Sequence, residues 1–169
     1  MCKKIALYII KMKHIFDTFG TFDLNKMSKN RILLISSLFF LIPIYVFIKK
    51  FVLYRELLTI FEYILVAFII FNIVASVLFW YNGNKHSGFH IVDGIFAKTS
   101  LITFIIYILF FKNLPYYMIL LFLFILAHVI YFVYYSNYYS AMKWCSEQHI
   151  FHHAMFHACA SMGAIYAFM

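Results

Sequence analysis

Five long, predominantly apolar stretches run through this chain: Ile32 to Ile48, Leu57 to Tyr81, Phe89 to Phe111, Pro115 to Tyr135 and Gln148 to Met169. A bilayer core about 30 Å thick is crossed by roughly 20 apolar residues in a helix, so each stretch is close to one crossing. Inside hydrocarbon every backbone N–H and C=O must be satisfied by the protein itself, which leaves helices and closed β-barrels. Barrel strands alternate polar and apolar residues over about ten positions. The run Met118-Ile-Leu-Leu-Phe-Leu-Phe-Ile-Leu-Ala127 does not alternate. Composition excludes a soluble fold, since 66% of the 169 residues are hydrophobic and 12% charged, against about 45 to 50% and about 25% in soluble domains. The expectation is an all-α, polytopic transmembrane bundle of about five spanning helices over 32–169.

Residues 1–31 differ in kind. They hold nine of the chain's twenty charges, and Ile5, Tyr8, Ile9, Met12, Ile15, Phe16 and Phe19 recur at helical spacing beside Lys3, Lys4, Lys11 and Lys13. This pattern predicts an interfacial amphipathic helix whose lysines reach anionic lipid headgroups. The six apolar residues Ile5 to Ile10 are too short for a signal-peptide core, and no small-residue cleavage site follows. With five crossings, the N-terminus and the 82–88 and 136–147 loops share one side and carry nine Lys/Arg, against four on the other side. The positive-inside rule then places the N-terminus in the cytosol and the C-terminus in a lumen or outside. Cys2 and Cys145 fall on the reducing side and Cys159 within the last helix, so no disulfide framework is expected. The basic leader reads as a membrane-surface element and not as a nucleic-acid arm.

A polar side chain inside a bilayer is costly and is a functional candidate by default. Counting about 1.5 Å per residue from the cytosolic helix ends, Asp93, Ser76 and His153 lie roughly 5 to 8 Å deep, and Lys98, His128, His157 and Asn72 roughly 12 to 14 Å deep. The opposite half is nearly bare except for Glu62, to which the sequence assigns no partner. Asn72, Ser76 and Trp80 share one helix face, His90 and Asp93 are three apart, and His149, His153 and His157 form a stripe at four-residue steps. The bland alternative is that these histidines hydrogen-bond between helices or sit among headgroups.

Two histidines one turn apart can hold one metal ion, a third from another helix completes a triad, and an open fourth position takes water. The expected zinc ligands are His153, His157 and His90, with His149 or His86 as substitutes. Such an ion lowers the pKa of its water to about 7. Asp93 would then orient that water or accept its proton, and Ser76 would hydrogen-bond the developing oxyanion. A site opening into the cytosolic leaflet would admit the amide or ester of a membrane lipid.

These residues resemble a superfamily that contains the alkaline ceramidases, the progestin and adiponectin receptors and the haemolysin III-like proteins. That family has Ser-x3-His near the end of its second helix, an Asp early in the third and His-x3-His in the last. Here Ser76-Val-Leu-Phe-Trp80 ends the second stretch, Asp93 opens the third and His153-Ala-Met-Phe-His157 begins the last. The resemblance implies an intramembrane metal-dependent hydrolase. It departs at two points: Trp80 stands at the family's first metal-binding His, and one helix lies between the Asp and His-x3-His helices where the family has three.

Two other readings fit the same residues. His86-Ser-Gly-Phe-His90 and His149-Ile-Phe-His152-His153 are patterns used by membrane di-iron desaturases and hydroxylases, which makes iron the alternative metal. That reading leaves Asp93 and Ser76 without a role, and no third histidine box is present. The non-enzymatic reading is a small membrane protein that binds lipid or assists assembly, its polar residues serving helix packing.

Overall fold

The computed structural model describes residues 31–53, 59–82, 85 and 87–169. The expected N-terminal interfacial helix lies outside them, as do Cys2 and His86. The described residues form five helices and no strand. The first, α1, is α-helical over Arg31–Ser37, tightens to a 3-10 turn over Leu38–Phe40 and resumes over Leu41–Leu53. It is followed by α2 (Ile60–Asn82), α3 (Gly88–Ile106), α4 (Tyr116–Met142) and α5 (Glu147–Ile165). Four of them, over Arg31–Val52, Ile60–Tyr81, Gly88–Phe111 and Tyr116–Met142, are long and apolar enough to cross a membrane. The fifth has 19 residues, about 28 Å of helix, and its histidines lower its apolarity. The chain is a multi-pass membrane protein.

Each of the helices α2 to α5 begins with a device written in the sequence. Thr59 and Glu62 make a reciprocal capping box at α2: the Thr59 N–H donates to Glu62 Oε2 (3.0 Å) and the Glu62 N–H to Thr59 Oγ1 (3.4 Å). Ser87 and Ser146 cap α3 and α5, accepting from the backbone N–H of His90 (3.2 Å) and His149 (3.3 Å). Pro115, which has no N–H to lose, precedes α4. At the end of α3 the helix widens to a π-turn over Tyr107–Phe111, closed by Lys112 N–H donating to the Tyr107 carbonyl at 2.9 Å.

The kink region of α1 is built by its own residues. Ser36 donates to the Leu33 carbonyl at 2.9 Å, a back-bonding that bends helices, and Ser37 Oγ lies 2.9 Å from the same carbonyl. Pro43 then withholds the N–H that would reach Phe39 four residues back. The Phe39 carbonyl instead accepts from Ser161 of α5 at 2.7 Å.

Packing follows an order that differs from chain order. α1 lies against both α2 and α5, α2 against α3, and α4 against α5. The sequence of neighbours is therefore α3–α2–α1–α5–α4, an open ring whose ends, α3 and α4, meet only sparsely. On α4 the buried side chains are Phe122, Val129 and Ser136, seven apart, a single seam against α5. Gly163 of α5 faces that seam: a Cβ there would lie 3.7 Å from Ile125 and 3.8 Å from Phe122, ordinary contact distances.

The membrane half that the sequence left nearly bare contains an ion cluster. Glu62 Oε1 accepts from Lys50 of α1 (3.2 Å) and from Lys112 after α3 (3.1 Å), and Lys112 also donates to the Ala167 carbonyl at 3.1 Å. Glu62 thus has two cationic partners, brought to it by the end of α1 and by the π-turn. Beside it, Phe47, Leu65, Ile69, Phe104, Tyr107, Ile108 and Phe168 make the larger apolar core.

Candidate functional site

At the other end of the bundle, where the α2–α3 and α4–α5 connections lie, a cavity of about 390 Å³ is lined by all five helices. Ser76, His90, Asp93, His153 and His157 all face it, so the five expected site residues share one pocket. Asn72, Trp80, Lys98 and His149 line it as well. Lys85, between α2 and α3, donates its Nζ to the Ser140 carbonyl of α4 (2.9 Å) and lies 5.4 Å above the Trp144 ring.

Two histidines of the α5 stripe are each held by a serine of a neighbouring helix. His157 Nδ1 is 2.9 Å from Ser36 Oγ of α1. In the tautomer that leaves the Ser36 proton on Leu33, the His157 Nδ1–H is the donor and its Nε2 carries the lone pair. His153 Nδ1 lies 3.0 Å from Ser136 Oγ of α4. His149 Nδ1 accepts the Cys145 N–H at 3.2 Å, a bond set up by the left-handed backbone of Cys145 at φ 55°. Burial pushes the Cys145 thiol above its ordinary pKa.

The acidic side of the cavity is a chain of hydroxyls. Ser37 of α1 donates to Ser76 of α2 (3.1 Å), and Ser76 hydrogen-bonds Asp93 of α3, whose side chain is buried. Deeper in, Asn72 Nδ2 donates to Ser100 Oγ at 2.6 Å. The wall nearest the bundle end is aromatic. Trp80 stacks on Trp144 with centroids 5.7 Å apart and planes 15° apart, and meets His153 edge-on at 5.0 Å. His90 lies flat on Phe79 at 4.8 Å and edge-on to Trp144 at 5.5 Å.

Three buried polar atoms have no hydrogen-bond partner among the described residues: Asn72 Oδ1, Trp80 Nε1 and His153 Nε2. All three belong to residues that line this one cavity. An orphaned buried polar atom costs about 1 to 3 kcal/mol, more in a membrane than at a wet surface, so their concentration here is the mark of a site that receives a ligand or ordered water.

The cavity continues sideways. A smaller apolar pocket of about 30 Å³ lies along the seam between α3 and α4, sharing Leu101, Phe104, Ala160 and Ala164 with the main one. The exposed Lys98 of α3 and Asn137 of α4 mark where the main cavity reaches that seam.

The expected zinc triad is not gathered as such. His153 and His157 face each other at 4.6 Å between ring centroids, but among the described residues no three His, Cys, Asp or Glu side chains are grouped to hold a metal ion. His90 stacks on Phe79, and Trp80 of α2 packs edge-on against His153. Two polar residues counted with the site lie elsewhere: His128 is exposed and bonds its own helix at the Phe124 carbonyl (2.9 Å), and His152 packs among Tyr135 and Tyr139 on the α4 side.

Sequence reasoning missed the serines. Ser36, Ser37, Ser100 and Ser136 supply the partners of His157, Ser76, Asn72 and His153, and the Ser36-Ser37 pair inside an apolar stretch was the available signal. Serine costs little in a membrane helix because it can bond its own backbone, so its presence alone does not mark a site. The architecture thus defines a polytopic membrane bundle with a largely apolar cavity between its five helices that gathers several polar side chains. No family model, no curated protein and no solved structure matches this chain.

Proposed function

We propose that this protein holds a membrane lipid, with the lipid's polar end in the cavity between the five helices and its chain in the apolar seam between α3 and α4. One observation carries the reading: three orphaned polar atoms gathered in a cavity of about 390 Å³ that leads into an apolar slot. Pockets for small ligands have this make-up, a mostly apolar lining with a few convergent polar groups. The sparse contact of α3 with α4 supplies the route by which a lipid enters from the bilayer.

A second reading adds chemistry. The pairing of buried Asp93 with Ser76, in one cavity with the His157 Nε2 lone pair, favours hydrolysis of the amide or ester of the bound lipid, in line with the resemblance to the ceramidase-like superfamily. In that reading Asp93 handles a proton and Ser76 donates to the developing oxyanion. The arrangement of His90, His153 and His157 does not fit a three-histidine zinc centre, and no step is assigned to a metal.

The test is lipid extraction from protein purified in a mild detergent, followed by mass spectrometry. The wild type is expected to carry a co-purifying lipid in near-stoichiometric amount. Replacing Ala160 by Phe, which fills the junction of cavity and slot, is expected to abolish that retention while the helices remain folded. Equal lipid content in both proteins overturns the reading. Turnover of the retained lipid class by the wild type, lost in Asp93→Asn with lipid still bound, separates the catalytic reading from simple binding.

A further inference from the structure

We infer that Trp80 Nε1–H and His153 Nε2 together recognise one hydroxyl group of an uncharged lipid, so that the cavity selects an alcohol-headed amphiphile over a phosphate-headed one. This rests on the cavity being a lipid site and names the chemistry of its occupant. The two atoms are complementary. The indole N–H can only donate, and His153 Nε2 accepts when Nδ1 donates to Ser136. Their rings meet at 5.0 Å with planes 69° apart, both atoms are buried without a partner, and Trp80 is 1% exposed. On a lipid, a hydroxyl is the smallest group that satisfies both, accepting from the indole through its oxygen and donating its proton to the imidazole.

Charge argues in the same direction. Among the lining residues Lys98 is the only Lys or Arg, it is exposed, and it stands on α3 more than a turn beyond Asp93. A phosphate at the level of Trp80 and His153 would have Asp93 nearby, and Lys85, set against the Trp144 ring, already donates to the Ser140 carbonyl. The position of Trp80 carries the selectivity, since a histidine there would supply a second lone pair where this chain supplies only a donor.

The experiment uses three amphiphiles with the same saturated chain: hexadecanol, hexadecyl methyl ether and hexadecyl phosphate. Their binding to the purified full-length protein in detergent is measured by competition against tritiated hexadecanol. The alcohol is expected to bind most tightly, with the ether, which cannot donate, about three- to tenfold weaker and the phosphate weaker still. Trp80→Phe keeps the aromatic wall and removes the N–H, and is expected to weaken the alcohol about three- to tenfold. Because the chain has two tryptophans and both are in this wall, the Trp144→Phe protein reports on Trp80 alone, and its emission should shift to the red on adding the alcohol. That second readout covers a Trp80 variant that fails to fold. Equal binding of alcohol and phosphate, or an unshifted Trp80 emission with the alcohol bound, overturns the hydroxyl assignment while leaving the lipid site standing. Binding of none of the three removes both.

Discussion

Glu62 shows how much one side chain can carry inside a membrane protein. It is 2% exposed and accepts from two lysines on different segments, while its other oxygen caps its own helix. Burying charges is expensive, and removing one partner of a buried ionic group typically costs about 3 to 5 kcal/mol because the remaining charge is left unpaired. Glu62→Ala should therefore destabilise the bundle by about 3 kcal/mol, read as a lower thermal midpoint in detergent. A change below about 0.5 kcal/mol would show that Lys50 and Lys112 find water instead. At the other end of the molecule, Asn72, Trp80 and His153 each bury a polar atom with no hydrogen-bond partner among the described residues, which is why the functional reading centres on them.

At the scale of the element, the instructive case is the α1–α5 contact. A proline inside a helix usually weakens it by removing a backbone bond. Here the carbonyl that Pro43 fails to reach is the one that takes the Ser161 hydroxyl at 2.7 Å, so an intrahelical bond has become an interhelical one. This coupling is testable by a double-mutant cycle. Ser161→Ala should cost about 1 kcal/mol in the wild-type background and clearly less in Pro43→Ala, where the restored N–H supplies a donor to the same carbonyl. Equal costs in the two backgrounds would mean that the two groups do not compete. The same contact brings Ser36 and Ser37 of α1 against α2 and α5, so the local geometry of α1 positions His157 and Ser76.

For the whole molecule the open question of greatest consequence is which way it lies in the membrane. Nine basic residues are expected on the side of the 82–88 and 136–147 connections and four on the opposite side, and by the positive-inside rule the cavity then opens near the cytosolic leaflet. A single cysteine introduced as Lys143→Cys, with Cys2, Cys145 and Cys159 replaced by Ser, is expected to resist an impermeant maleimide in intact cells and to react after permeabilisation. Labelling before permeabilisation would turn the molecule over and assign the lipid to the other leaflet.

The positions of the helices were legible in the sequence because length and apolarity act locally. The stretches Ile32 to Ile48 and Leu57 to Tyr81 correspond to α1 and α2 within a few residues at each end. The cluster of Ser76, His90, Asp93, His153 and His157 was legible too, because polar groups at one depth on different helices must turn inward and meet to escape lipid. The neighbours of each helix were not legible. These helices are apolar nearly all round, so no stripe in the sequence says which face meets which partner. That choice is made by side-chain packing between segments far apart in the chain, and it decided the order α3–α2–α1–α5–α4, the seam between α3 and α4, and the lysines of Glu62. It also decided the surroundings of the expected site residues, because only the packed bundle shows Trp80 set edge-on against His153 and His90 stacked on Phe79.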